Sequence, residues 1–233
     1  ASNESDTVGR LKINLDQTEP VFNTLSIDGI SSDTAYTNNI NQTVTINLDA
    51  EDVHSGLKDM WIDDSNWMTD GGYPASAPWQ DWSPLVTNFS LSGEGLHTIY
   101  ANVRDEVGIE AISELSMDVF LDLTDPELEI GEANIIETNT GAVQNLTTNT
   151  DGSGSGIETY LWEQISGPGE VTFTNAGDAN PTVSADTDGA YEIKVTATDY
   201  AGNSSFDTIP FIWDTTSPDD IGTMTLYDDQ GSY

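Results

Sequence analysis

Aspartate is the residue type whose placement in this chain could do chemistry. Three pentapeptides of the form Asp-x-Thr-x-Pro stand at residues 16–20 ("DQTEP"), 122–126 ("DLTDP") and 214–218 ("DTTSP"). They begin at 16, 122 and 214, so the intervals are 106 and 92 residues. Further acids stand between them: Asp49, Asp52 and Asp105 after the first, Asp125, Asp151 and Asp199 after the second, with Asp105 and Asp199 at matched places. Carboxylates drawn together repel one another unless a cation sits among them. A hard cation with six to eight oxygen ligands suits such a group, and Ca²⁺ is the expected ion, with backbone carbonyls completing its shell. The candidate metal ligands are therefore Asp16, Asp49, Asp52 and Asp105, then Asp122, Asp125, Asp151 and Asp199, and Asp214 at the start of a third group. Aspartate is also an ordinary turn residue, and the spacing of an EF-hand loop is absent.

Composition narrows the alternatives. The chain has 233 residues with 41 acidic and 5 basic side chains, a formal net charge of −36. Almost nothing could neutralise phosphates, so no nucleic acid is expected, nor an anionic membrane surface. There is no cysteine and there are two histidines, His54 and His97, which excludes thiol chemistry and disfavours a histidine-rich transition-metal site. No apolar run reaches membrane-spanning length. No nucleophile elbow, phosphate loop or His–Glu zinc helix is present, and carboxylate pairs arise by chance among 41 acids. The expectation is a protein that is not an enzyme. Apolar content of 36% is enough for real cores.

The elements that must position these aspartates can be read from an internal repeat. "GLHTIYANVRDEVG" (95–108) aligns without gaps on "GAYEIKVTATDYAG" (189–202), which matches Gly95 with Gly189, His97 with Tyr191, Asp105 with Asp199 and Gly108 with Gly202. "DVHSGLKDMWI" (52–62) aligns on "GSGSGIETYLW" (152–162), which matches Gly56 with Gly156 and Ile62 with Trp162. Period-two alternation of apolar and polar residues is common, and Gly, Asn, Asp and Pro punctuate the gaps. In residues 16–121 it predicts strands over 21–27, 43–49, 57–62, 82–86, 88–91, 97–104 and 113–121. In residues 122–213 it predicts 127–130, 142–147, 158–165, 171–174, 182–185, 190–198 and 207–213. Seven short strands per unit of about 100 residues describe an Ig-like β-sandwich. The fold class is thus all-β, with two tandem Ig-like antiparallel β-sandwich domains in an extended array. Residues 1–15 read as the last strand of a preceding repeat and 214–233 as the start of a following one.

In such a sandwich the first strand begins at the pole where the second–third and sixth–seventh strand loops also end. The aspartates of each unit are expected to converge there, at the junction with the preceding domain, and the proline would stiffen the chain entering the first strand. Tyr191 opens the sixth strand, where a tyrosine corner is expected, and His97 holds the same place in the first unit.

One stretch does not repeat. Residues 63–82, "DDSNWMTDGGYPASAPWQDW", form an aromatic-rich insert in the first unit. Trp61, just before it, should point away from the core if Met60 and Ile62 point inward. Exposed Trp61, Trp67, Tyr73 and Trp79 could stack on sugar rings or grip a peptide. The competing reading has the loop fold back, so that Trp61 and Trp82 cover the open face of the sheet.

Taken with "YLWEQISGPG" and "GAYEIKVTATD", residues 122–213 resemble PKD-like and related Ig-like modules of bacterial surface proteins. Residues 16–121 look like the bacterial Ig-like repeats found in tandem, although Ile62 stands where the PKD pattern has tryptophan. The resemblance implies a secreted or cell-surface location, a calcium-stiffened adhesin, and repeats that act as extenders. The expected partners are neighbouring repeats of the same chain and a cell-surface glycan or protein, with no membrane insertion and a monomeric state. The alternatives are a glycan- or peptide-binding adhesion module that uses the aromatic insert, or an accessory domain of a secreted hydrolase.

Overall fold

The computed structural model describes residues 15–30, 34–64, 79–130, 137–138, 147–217, 219 and 222, with the backbone alone for 129–130, 137–138 and 147–150. The chain is all-β and divides into two compact units. The first runs to Thr124 and includes Ser153–Ser155; the second holds the remainder. The division falls inside "DLTDP", three residues later than the repeat in the sequence suggests.

In the first unit the strands are β1 (Val21–Ile27), β2 (Ala35–Thr37), β3 (Thr43–Glu51), β4 (Leu57–Asp63), β5 (Gln80–Asp81), β6 (Leu85–Ser90), β7 (Gly95–Asp105) and β8 (Leu115–Leu121). They form a three-stranded sheet in the order β1-β3-β6 and a five-stranded sheet in the order β2-β8-β7-β4-β5. Alternation in β3 buries Val44, Ile46 and Leu48 and turns Thr43, Thr45 and Asn47 outward. These three pack against Ile99, Ala101 and Val103 of β7 and Met117, Val119 and Leu121 of β8 to make the core. The stretch predicted as 82–86 and 88–91 is one strand, β6, that pairs with β3 across an irregularity between Val44 and Ile46.

The second unit holds β9 (Glu127–Ile130), β10 (Glu137–Thr138), β11 (Thr147–Thr150), β12 (Ile157–Ser166), β13 (Val171–Thr174), β14 (Thr182–Ala185), β15 (Gly189–Asp199) and β16 (Ser204–Trp213). The main sheet runs β10-β16-β15-β12, and β9–β11 and β13–β14 are paired separately. Trp162, Tyr191, Ile193, Val195, Ile209, Phe211 and Trp213 close its core with Val183. The predicted strand 142–147 lies outside the described residues except at Thr147, and the described strand there is β11 at 147–150.

β2 and β10 escape periodicity because each is only two or three residues long. Each pairs parallel with the last described strand of its unit, Ala35–Thr37 on Val119–Leu121 and Glu137–Thr138 on Ile212–Trp213. Tyr191 Oη donates to the Thr187 carbonyl at 2.6 Å, and the ring stacks on Phe211 at 5.1 Å. In the first unit the His97 ring reaches the Gly93 carbonyl from the same position, Nε2 to O at 2.7 Å.

Candidate metal centre

The Asp-x-Thr-x-Pro stretch is first of all a turn. In every copy the threonine amide donates to Oδ1 of the aspartate two residues earlier: Thr18 to Asp16 at 3.0 Å, Thr124 to Asp122 at 3.1 Å and Thr216 to Asp214 at 2.8 Å. A short carboxylate captures the backbone two residues on more readily than a longer side chain can. The carboxylate is thereby fixed through Oδ1.

The loops that meet it are built the same way. Oδ1 of Asp52 accepts from the amides of His54 (3.0 Å), Ser55 (2.7 Å) and Gly56 (2.8 Å). Gly56 has φ of 85° and Gly156, its match, 90°; this left-handed backbone costs glycine little. Oδ1 of Asp105 accepts from Val107 (2.9 Å) and Ile109 (2.8 Å). Its chain returns through Gly108 at φ of 92°, as Gly202 does at 94°. The amide of Glu106 donates to the Gly56 carbonyl at 3.0 Å, which binds the two loops together.

Asp16, Asp52 and Asp105 thus each offer a carboxylate oxygen within 4.8 Å of the others. Asp105 is fully buried. Oδ2 of Asp105 and Oδ2 of Asp16 are buried without a hydrogen-bond partner, a costly condition for carboxylate oxygens. Hydrogen bonds from the Thr18 hydroxyl and amide hold the Asp16 carboxyl down at about 2. Burial pushes Asp52 up, but the three loop amides outweigh it and leave the carboxyl below its ordinary value. Three carboxylates converge, and two of them keep an oxygen without a hydrogen-bond partner. A hard divalent cation is the species that matches this all-oxygen donor set. The Thr18 hydroxyl lies 3.0 Å from His54 Nδ1 beside the group.

In the second unit Asp151 and Asp199 bring carboxylate oxygens within 4.8 Å of each other. Asp199 is fully buried and accepts from the Asn203 amide (2.8 Å) and side-chain amide (2.9 Å). Oδ2 of Asp151 accepts from the Gly156 amide. Asp122 closes the first unit and is buried; it accepts from Thr124 and, through Oδ2, from Ser155 at 2.7 Å.

Three expected ligands stand apart. Asp49 is not in a loop: β3 continues to Glu51, and Asp49 lies exposed on it opposite Thr24. The strand's alternation, carried two residues beyond the predicted end, turns this side chain to solvent. Asp125 and Asp214 are exposed, and neither joins a group of three acids among the described residues. At Asp214 the carboxylate serves its own turn, accepting from the Thr216 amide.

Two acids escaped the sequence reading. Glu94 accepts from the Leu123 amide (2.8 Å) and the Thr124 hydroxyl (3.1 Å). Asp188 accepts from the Thr215 amide (2.9 Å) and hydroxyl (2.8 Å) and from the Thr216 hydroxyl (2.9 Å). Hydrogen bonds from the Thr215 side chain first, then its amide and Thr216, lower the Asp188 carboxyl. Each is the acid directly before the matched glycine, Gly95 or Gly189, and that register was the available signal.

The aromatic insert does not present Trp61. Met60, Trp61 and Ile62 are all buried, with Trp61 only 3% exposed. Trp61 shares the outward face of β4 with Asp59. There Arg104 pairs with Asp59, Nε to Oδ2 at 2.6 Å, and lies 4.3 Å from the ring centre of half-buried Trp79. The returning chain pairs β5 along the β4 edge, and Trp82 packs against the core. Trp67 and Tyr73 lie outside the described residues.

Residues 132–212 match the family model "K319L-like, PKD domain", which makes the second unit PKD-like. A sequence search of curated proteins returned no match. Among solved structures the chain is similar to the protocadherin GammaB4 extracellular domain, at 12% identity and a TM-score of 0.36, over 87% of this chain and 33% of that one. It is similar to the D00-D0 domain of intimin at 17% and 0.35, over 80% and 98%. It is similar to the fibronectin(III)-like modules of Clostridium thermocellum CbhA at 12% and 0.39, over 81% and 93%. The chain spans a third of the length of the protocadherin it matches.

Proposed function

We propose that the chain is a non-catalytic structural segment of a secreted or cell-surface adhesion protein, and that Ca²⁺ stiffens the poles where its units begin. The observation that carries this reading is the Asp16–Asp52–Asp105 group with its two buried, unpartnered oxygens. In the second unit Asp151 and Asp199 likewise bring carboxylate oxygens together. The PKD-like match over 132–212 supports an extracellular setting. The chain works as a monomeric run of repeats, with neighbouring repeats as its principal partners.

Calorimetric titration of the full chain with Ca²⁺ after chelation, followed by thermal melts, tests the proposal. At a hundredfold excess over Kd, linkage adds about 2.7 kcal/mol, which raises the Tm of a domain of about 100 residues by roughly 11–22 °C. Asp105→Asn keeps an acceptor for Val107 and Ile109 but removes the charge, and should abolish the response of the first unit. Asp49→Asn should leave it intact. Equal melts with Ca²⁺ and with chelator, or an equal loss in both variants, would overturn the reading.

A further inference from the structure

The two units treat the same sheet face differently. In the first, Trp61 pairs with Asn102 on the outward face of β4 and β7 and is buried, while β5 lies along the β4 edge and the Trp82 amide donates to the Lys58 carbonyl at 2.9 Å. In the second, the matched row is Leu161, Thr196 and Phe206 across β12, β15 and β16. Leu161 and Phe206 are 56% and 68% exposed, and Ile165, further along β12, is 49% exposed. Among the described residues nothing pairs with the far side of β12, the last strand of its sheet. The chain leaving it builds the separate β13–β14 pair instead.

A ten-residue edge strand bearing exposed apolar side chains is a template for strand addition. The first unit shows what suits the position: a short strand on the edge, entered by Trp79, whose indole lies over Arg104 of β7. Charge decides the rest. β12 carries exposed Glu158 and Glu163, the nearest cation, Lys194, is engaged by Glu163, and the chain carries −36 overall. A second copy would bring the same charge to the contact, whereas a cationic strand is drawn to it.

We propose that the free edge of β12, with the Leu161–Phe206 row, is a docking site for an extended, cationic, aromatic-bearing segment of a partner protein. The site is independent of the calcium reading, so its test is run in chelator. The ¹⁵N-labelled full chain is titrated with a seven-residue peptide that alternates lysine with tryptophan and valine. Saturable binding is expected, with the largest amide shifts in β12 and around Phe206. Leu161→Asn alters an exposed position without adding charge, so its Tm should not change, and its Kd should be at least tenfold weaker. Replacing the peptide's tryptophans by serine should weaken binding similarly. Shifts spread over the acidic loops, unchanged affinity in Leu161→Asn, or concentration-dependent dimerisation through β12 would overturn the proposal.

Discussion

At the scale of single residues, the aspartates divide by what their second oxygen does. Asp214 completes a turn at an exposed position, whereas Asp16 and Asp105 complete turns and keep a buried oxygen in reserve. Asp188 is a third kind, a receiver for the threonines that follow β16. Its carboxyl lies below the ordinary 3.8, so its hold on Thr215 is complete above the unfolded carboxylate range and is lost as pH falls through the lowered value. The Thr215 amide resonance should therefore titrate with a midpoint below 3.8 and stop doing so in Asp188→Asn. Gly167 is constrained by sterics instead. A Cβ there would stand 2.0 Å from Cδ1 of Tyr191, and that ring is fixed by Thr187 and Phe211. Gly167→Ala should cost about 1–3 kcal/mol, the usual range for overpacking, measured as a fall in the urea midpoint with unchanged slope.

At the scale of elements, the long alternating strands were legible and the short ones were not. β7 and β15 announce themselves through matched glycines, eleven residues of alternation and a closing aspartate, and that register also placed Asp105 and Asp199. β2, β5 and β10 are two or three residues each, too few for a period to declare itself, and they exist because a neighbouring strand offers a ladder. Trp61 was left between two readings, exposed binder or cover for the open face of the sheet, for a related reason. Alternation assigned it correctly to the outward face, but burial of that face depends on a segment returning from residue 79 onward, which no local pattern reports. Trp61→Ala should therefore behave as a core truncation, at about 3–5 kcal/mol. Trp79→Ala should cost less, because its contact with Arg104 is half-exposed and such contacts contribute about 0.5–1 kcal/mol. Denaturant titrations of the two variants would rank them; equal costs would mean that Trp79 anchors the return of the insert.

For the molecule as a whole, the charge of −36 sets the conditions under which either unit is stable. Self-repulsion among exposed carboxylates weakens the folded state, and the screening length shrinks from about 10 Å at 0.1 M salt to about 3 Å at 1 M. The Tm in chelator should rise steadily with sodium chloride, and a flat profile would show that the acids are already compensated locally. The division inside "DLTDP" carries a practical consequence. Asp122, Leu123 and Thr124 are anchored backward, by Glu94 and by the turn, while the Pro126 carbonyl accepts from Ser205 in the unit ahead. The pentapeptide is thus the tail of one unit and the head of the next. Anyone excising a single repeat for expression, or shuffling repeats to lengthen the chain, has to copy it at both ends, because a cut on either side strips one unit of its own final contacts.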